Sequence, residues 1–396
     1  MIVFDKPVAL GIAGLGMAGA VMVRAAHAHP GINIVAAADP YPAPREAFKR
    51  DFNAPTYEDI RGLCDDATVE AIYIATPHQF HSEHARLAAE AGKHIILEKP
   101  MALTLADCDT IIGAVDRAGV VLIVGHTHAF DPTIRAMRRI IASGEIGTLG
   151  MIAAWNYTNF LYRPRRPEEL DTSRGGGIMF NQVPHQIDVA RLLGGGLVRS
   201  VRAQVTVLDP ARPTEGSCIG FLDFENGAAA SLVYSGYDFF DSDEWHFWIN
   251  ERGAPKPPGQ HGAARRALAE QKREETRLRV ERFAYGADGG QAPAHQPHFG
   301  IMIVTCSGGE LRASADGVLL YDANGMREVP VSLGRGFSGR GEVLDDLYRA
   351  ARSGIRPIHD GRWGKATVEV ALALLQSAHE RREIMLHYQV AVPAGA

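Results

Sequence analysis

From residue 7 to about 125 the chain alternates short, unbroken apolar runs with stretches of helical spacing. The runs lie at 8–13, 32–38, 71–75, 94–97 and 120–124, and the longest helical stretches at 81–91 and 105–118. A strand that is apolar throughout is buried on both faces, and strands that alternate with helices build a parallel sheet covered on both sides. A doubly wound α/β domain is therefore predicted over residues 1–128. In such a sheet ligands bind beyond the carboxyl ends of the strands, which directs attention to the residues just after each run.

From about residue 131 the period changes. A helix at 132–143 is followed by longer runs at 149–157, 198–207, 217–224, 228–235 and 301–306 in which apolar and polar positions alternate. Period two is the mark of strands with one face covered. Residues 129–396 are thus expected to form a second α/β domain with a broad, open, mainly antiparallel sheet. Its uncovered face predicts self-association into a dimer or tetramer through that sheet.

Helical patterns recur at 341–353 and 362–385, with Gly354 and Pro357 as stop signals between them. Between about 250 and 297 the chain turns hydrophilic. Pro255, Pro257 and Pro258 break regular structure there, and 263–283 carries many charges at helical spacing. A solvated helix or partly disordered insertion is the simplest reading. A lid over a substrate and an arm on a partner subunit are the alternatives.

With 396 residues, 46% hydrophobic and 22% charged, the chain has ample material for two cores. A net charge of −5 gives no electrostatic footprint for nucleic acid. Nothing approaches eighteen consecutive apolar residues, and the first strand begins within ten residues of Met1, so neither a membrane span nor a signal peptide is expected. A cytoplasmic protein is predicted. Cys64, Cys108, Cys218 and Cys306 show no C-x-x-C spacing and read as free thiols.

The chemistry begins at the end of the first run. There Gly14-Leu15-Gly16-Met17-Ala18-Gly19 forms a G-x-G-x-x-G turn, followed by a helix at about 20–28, and the second run ends at Asp39. Gly14 permits a tight turn, Gly16 lets the backbone approach a pyrophosphate, and Gly19 lets the helix lie close to the strand. The helix N-terminus, through Met17 and Ala18, offers unpaired N–H groups to phosphate. Asp39 stands at the distance where a carboxylate meets ribose hydroxyls and repels a 2′-phosphate, which favours NAD over NADP. Arg45 is near enough in sequence to reach such a phosphate.

Three further clusters carry a resemblance. They are 75–84, with Thr76, Pro77, His78 and His81; Glu98-Lys99-Pro100; and Gly175-Gly176-Gly177 through His185 and Asp188, with Gly125-His126 between. Together with the glycine turn they resemble the Gfo/Idh/MocA oxidoreductase family, over most of the chain. The resemblance implies an N-terminal Rossmann domain, a C-terminal open-sheet domain and a nicotinamide cofactor. It also implies that Lys99 and His185 are catalytic, and that Thr76, Pro77, His78, His81 and Glu98 line the cofactor. Independently, an ammonium after a strand's carboxyl end can stabilise charge on a substrate oxygen, and an imidazole can take a hydroxyl proton near neutrality.

The sequence departs from the family where many members carry an aspartate four residues before the histidine. Here that residue is Asn181, and Val183-Pro184 follow where a glycine is usual. Asparagine cannot be a base. Proton removal then falls on His185, with Lys99 as electrostatic partner and Asn181 orienting the substrate. The stretch 181–186 resembles the branch of dihydrodihydroxyphthalate and related carboxylated cis-dihydrodiol dehydrogenases. A carboxylated substrate would give Arg163, Arg165, Arg166 and Arg174 a purpose, since guanidinium binds carboxylate through paired hydrogen bonds. Solvated arginines balanced by Glu168, Glu169 and Asp171 are the alternative.

The expected substrate residues are thus Lys99, His126, Arg163, Arg174, Asn181 and His185. Histidines at 78, 81, 84, 126 and 128 invite a metal, but hydride transfer needs none and no metal is expected. The predicted activity is NAD-dependent oxidation of a carboxylated cyclic cis-dihydrodiol to a catechol. Rival readings are a sugar or inositol dehydrogenase, a redox-assisted glycoside hydrolase that recycles NAD, and a non-catalytic dinucleotide sensor.

Overall fold

A computed structural model describes residues 4–125, 127–271, 273–287, 293–334 and 339–393. The chain divides into two compact units that do not follow chain order. The first comprises Met1–His126, Thr276–Gln291 and Arg335–Lys365, and the second Thr127–Glu275, Ala292–Gly334 and Ala366–Ala396.

The first unit is built on strands β1 (Val8–Ala13), β2 (Ile32–Ala38), β3 (Thr56–Tyr57), β4 (Ala71–Ile74), β5 (His94–Leu97) and β6 (Leu122–Val124). Their order is β3-β2-β1-β4-β5-β6, and every pairing is parallel. The helices between them are α1 (Met17–His27), α2 (Pro42–Phe52), α3 (Ile60–Asp65), α4 (His81–Glu90) and α5 (Leu105–Ala118). The chain runs outward from β1 to β3 and returns to place β4 on the other side of β1. That reversal is the switch point at which such sheets bind ligands.

Helix α5 matches its predicted span because its ends are written locally. Thr104 accepts the Asp107 N–H at the start, and Gly119 takes φ +64° at the end. Helix α1 starts three residues earlier than its apolar periodicity implies, since the glycine turn leads directly into it.

The second unit holds α6 (Pro132–Ser143), α7 (Gly177–Asn181) and α8 (Val183–Gly194), the short α9 (Ala263–Ala269), and a nine-stranded sheet among the described residues. Its strands are β7 (Leu149–Tyr157), β8 (Val198–Thr206), β9 (Ser217–Phe224), β10 (Ala229–Ser235), β11 (Ile301–Cys306), β12 (Gly309–Ala313), β13 (Gly317–Asp322), β14 (Gly325–Pro330) and β15 (Ile384–Met385). The order is β14-β13-β12-β11-β7-β10-β9-β8-β15, antiparallel throughout except between β7 and β10. Side chains along β10 alternate between buried and half-buried, as period two requires. Met151, Ile219 and Phe221 stand exposed on the strands.

Three strands, β12 to β14, were not anticipated. They are short and partly polar, and the Asn324-Gly325 pair at the last hairpin was their clearest signal. In the hydrophilic insertion, α10 (Glu275–Phe283) follows α9, and residues 276–291 belong to the first unit. Helix α11 (Arg340–Ser353) lies in the first unit, and α12 (Gly361–Glu380) begins there. The helix expected to run to 385 stops at Glu380. Arg381 turns with φ +56°, and Ile384–Met385 add to the sheet edge at β8, where ladder hydrogen bonds replace helical ones.

One buried group ties stability to pH. The His246 ring lies 4.0 Å from that of His298, is 1% exposed, and has no hydrogen-bond partner for either nitrogen among the described residues. Burial, with His298 and Arg312 adding repulsion, holds its pKa down at about 2. His81, His84, His94 and His298 are lowered in the same direction, each chiefly by burial. A depressed histidine is protonated first in the unfolded chain, so its stabilising contribution is complete above the ordinary value of about 6.5 and is lost as pH falls below it. The melting temperature should therefore drop between pH 7.5 and 5, and His246→Phe should make that drop smaller. An unchanged slope in thermal melts of the variant would locate the acid lability elsewhere.

Candidate active site

At the end of β1 the chain turns through Gly14 at φ +96°, a conformation that favours glycine. A Cβ there would lie 2.7 Å from the Ala75 carbonyl oxygen, and one on Gly19 would lie 1.8 Å from that of Gly14. At Gly16 the opposite holds: an added Cβ meets nothing within 4 Å. The turn is thus packed shut on its inner side and open at its middle glycine, where Met17 and Ala18 begin the helix. Such a cradle fits a pyrophosphate.

Asp39 is 7% exposed, and both its carboxylate oxygens are engaged. Oδ2 accepts the Leu15 N–H at 2.7 Å and Oδ1 the Tyr41 N–H at 2.9 Å. Burial pushes its pKa above the usual carboxylate value, against the lowering effect of those amides and of Arg45. Arg45 donates to the carbonyls of Asp39 and Pro40 and pairs with Glu58 at 3.4 Å, so it is held by protein acceptors.

The loops after β4 and β5 are tied together by one imidazole. His81 is fully buried; its Nδ1 faces the Pro100 carbonyl at 2.8 Å and its Nε2 that of Thr76 at 2.9 Å. The Thr76 hydroxyl pairs with His84 Nδ1 at 2.9 Å, and the His78 ring stands edge-on to that of His81. Pro77 leads into the short turn that carries His78. Glu98, 8% exposed, takes the Tyr73 hydroxyl, which makes its side chain a buttress behind Lys99. Lys99 stands two residues past the end of β5 and is half-buried, with a cis peptide to Pro100.

Sequence reasoning missed Tyr285. Its N–H donates to the Leu15 carbonyl inside the glycine turn, its ring packs on Phe48, and its hydroxyl donates to Asp51. No local signal marked it, because it comes from the far end of the insertion.

In the second unit α8 presents His185, 8% exposed. The ring lies 4.9 Å from Phe299 and edge-on to His128 at 5.0 Å. Phe299 also stacks with Tyr234 at 6.0 Å, whose hydroxyl reaches Gln182 and Thr158. His128 and Phe299 were not foreseen as neighbours of His185; the hint lay in His295, His298 and Phe299 just before β11.

Asn181 uses its amide on the glycine triplet, donating to the carbonyls of Gly175 at 3.0 Å and Gly177 at 2.8 Å. Its first role is to hold that loop. Asp188 bonds the hydroxyls of Thr127 and Thr367 and so anchors α8.

The arginines separate sharply. Arg165 lies over the Phe160 ring at 3.7 Å and donates to the Phe160 carbonyl, while Arg166 pairs with Glu168 and Glu169. Arg174 is exposed. Arg163 is three-quarters buried, bonded to Asn159 at 2.7 Å and paired with Glu251 at 3.3 Å. Each partner shifts the other: Arg163 holds Glu251 down at about 2, overcoming burial, and Glu251 raises Arg163. His126 lies outside the described residues. Among the described residues no three or more of His, Cys, Asp and Glu gather as a metal site, and no helix is long and apolar enough to cross a membrane.

Residues 8–126 match the family model for the GFO/IDH/MocA oxidoreductases with an NAD-binding Rossmann fold, and residues 134–250 match the GFO/IDH/MocA C-terminal domain. The chain is 40% identical over 376 residues to 1-carboxy-3-chloro-3,4-dihydroxycyclohexa-1,5-diene dehydrogenase of Comamonas testosteroni, covering 93% of this chain and 94% of that protein. The chain belongs to the Gfo/Idh/MocA family.

Another relative in the family is the scyllo-inositol 2-dehydrogenase (NAD(+)) of Bacillus subtilis, 29% identical over 52% of this chain and 60% of that one. A crystal structure of a protein from Bordetella bronchiseptica RB50, described as a dehydrogenase, superposes with a TM-score of 0.93 at 46% identity, covering 96% of this chain and all of that one. The protein is therefore an oxidoreductase with NAD as its cofactor, and the glycine turn is the part of its Rossmann unit that fits the dinucleotide.

The Asp39 carboxylate should set the choice of dinucleotide. Asp39→Ala removes hydrogen bonds and the repulsion of a 2′-phosphate together, each on the order of 1–3 kcal/mol. The ratio of kcat/KM for NAD to that for NADP should fall at least tenfold. A variant that keeps the parent's ratio would show that Asp39 serves only the Leu15 and Tyr41 amides.

Proposed function

We propose that this enzyme oxidises a carboxylated cyclic cis-dihydrodiol to a catechol. The observation that carries the reading is the company His185 keeps. A buried imidazole lies against Phe299, Phe299 stacks on Tyr234, and the Arg163 guanidinium is within electrostatic reach of Tyr234. One unit thus joins a proton acceptor, flat aromatic surface and a guanidinium, the three features that a planar ring diol with a carboxylate calls for. The Comamonas relative, whose name specifies a carboxylated dihydroxycyclohexadiene, supports the same substrate class.

In this reading bound NAD supplies the acceptor for the hydride from the ring carbon that bears the hydroxyl. His185 takes the hydroxyl proton as the C–O bond becomes a carbonyl. Lys99 donates a hydrogen bond to that oxygen and stabilises its developing charge. Arg163 binds the carboxylate and fixes which ring carbon reacts. Tautomerisation of this ketone, in which the remaining ring carbon gives up its proton and the carbonyl oxygen gains one, then yields the aromatic catechol, which makes the oxidation strongly downhill. The exposed apolar residues Met151, Ile219 and Phe221 support self-association of two copies through the open sheet.

A second reading has its own observation. Arg163 already has Glu251 as its anion, and a neutral inositol or aldose would leave that pair intact. NADH formation across carboxylated dihydrodiols, aldoses and inositols separates the two. Oxidation of neutral polyols with no reaction of any carboxylated diol would replace the first reading by the second.

Two variants test the assigned roles. Lys99→Ala should lower kcat roughly 10²–10⁴-fold with little change in NAD affinity, because the ammonium acts on the transition state. Equal turnover removes Lys99 from the chemistry. Arg163→Gln should cost the acid substrate roughly ten- to hundredfold in kcat/KM, the equivalent of a charge-assisted bond of about 1.5–3 kcal/mol, and its methyl ester much less. Equal losses for acid and ester would mean that Arg163 does not hold the carboxylate.

A further inference from the structure

His185 does not stand alone. Two residues before α6, the short turn His128–Phe130 puts a second imidazole edge-on to it, with ring centroids 5.0 Å apart and planes at 67°. The second ring also stacks on Phe299 at 4.7 Å and 29°, the same phenyl ring that flanks His185. Behind it stands Asp131, fully buried, with Oδ2 2.6 Å from His128 Nδ1. A carboxylate acceptor at that position assigns the ring hydrogen to Nδ1.

The use of Asp131 departs from local rule. It occupies the N-cap of α6, where an aspartate side chain ordinarily accepts an N–H from the first turn, yet it makes no such bond. The carboxylate turns back to the imidazole three residues earlier. A side chain diverted from a cap worth about 1 kcal/mol points to a site where function overrides local preference.

We propose that His128 and Asp131 act as a positioning pair that raises the basicity of His185. The proposal rests on the reading of His185 as the base. When His185 accepts a proton it becomes a cation beside apolar Phe299, where charge is costly. The Asp131 carboxylate, held against the far nitrogen-bearing side of an imidazole that itself touches His185, puts a negative charge one ring away from that cation. Among the described residues Glu251 and His298 also feel the charge of His128, with Arg252 and Arg163 acting on Glu251. Glu251 is already answered by Arg163, so the Asp131 carboxylate supplies the field that favours the protonated form. Asp131 and His128 need not touch the substrate.

The test reads His185 directly and needs no substrate. In enzyme labelled with 13C at histidine Cε1, the His185 resonance is assigned by its loss in His185→Gln and titrated by NMR. Asp131→Asn should lower the His185 midpoint by about half to one pH unit, Asp131→Glu should restore it, and His128→Asn should lower it as well. The acid limb of kcat/KM, measured with the best substrate of the panel above, should move to lower pH in Asp131→Asn, while plateau kcat falls about tenfold because the base is weaker. A variant that melts normally but leaves both the titration and the acid limb in place overturns the proposal. If Asp131→Asn does not fold, the titration in His128→Asn decides in the same way. Full turnover in His185→Gln would instead overturn the assignment of the base, a separate result.

Discussion

A Cβ on Gly19 would lie 1.8 Å from the Gly14 carbonyl oxygen, and a Cβ on Gly14 would lie 2.7 Å from that of Ala75. These two forbidden volumes govern the first unit. Because no side chain stands between β1, α1 and the loop after β4, the helix N-terminus comes down onto the switch point of the sheet and its first N–H groups face an open cradle at Gly16. Asp39 then fastens Leu15 from the neighbouring strand, and Tyr285 fastens it from the other side through the chain far downstream. The turn is a hub on which β2, β4 and the end of the insertion all depend.

In the second unit the corresponding work is done by buried polar groups. Asp188 joins Thr127 and Thr367, and Thr367 takes a hydrogen bond from Arg191 at 2.7 Å. Arg191 is completely buried, and burial lowers its pKa to about 10 despite the opposing charges of Asp188 and Glu369. A buried charge persists only where its bonds are satisfied, so this network holds α8 in one rotation. His185 sits one turn before Asp188 on the same helix face. The face is set by the network, and the imidazole is carried to Phe299 as a consequence.

Charge alone did not separate the arginines from one another. Arg165 and Arg166 are absorbed by Phe160, Glu168 and Glu169 within a few residues of themselves, and Arg174 points to solvent. Arg163 is set apart by Glu251, a residue 88 positions away. The same holds for Asn181: its type excludes it as a base from sequence alone, but only the fold shows that its amide closes the glycine triplet.

What the amino-acid sequence determined by itself was whatever is encoded over a few residues. The unbroken apolar runs specified the parallel sheet, period two specified the open one, the Thr104 and Gly119 caps placed both ends of α5, and three glycines at fixed spacing specified the tight turn between β1 and α1. These follow from backbone sterics and local burial, which neighbours in sequence suffice to decide. Tertiary structure decided the rest. It brought His128 and Phe299 against His185, gave Glu251 to Arg163, returned Tyr285 to Leu15, and ended the last helix at Glu380 so that Ile384 could pair with β8. Each of those contacts joins residues far apart along the chain, and its free energy comes from burial, hydrogen bonding and ion pairing that exist only once each unit has folded.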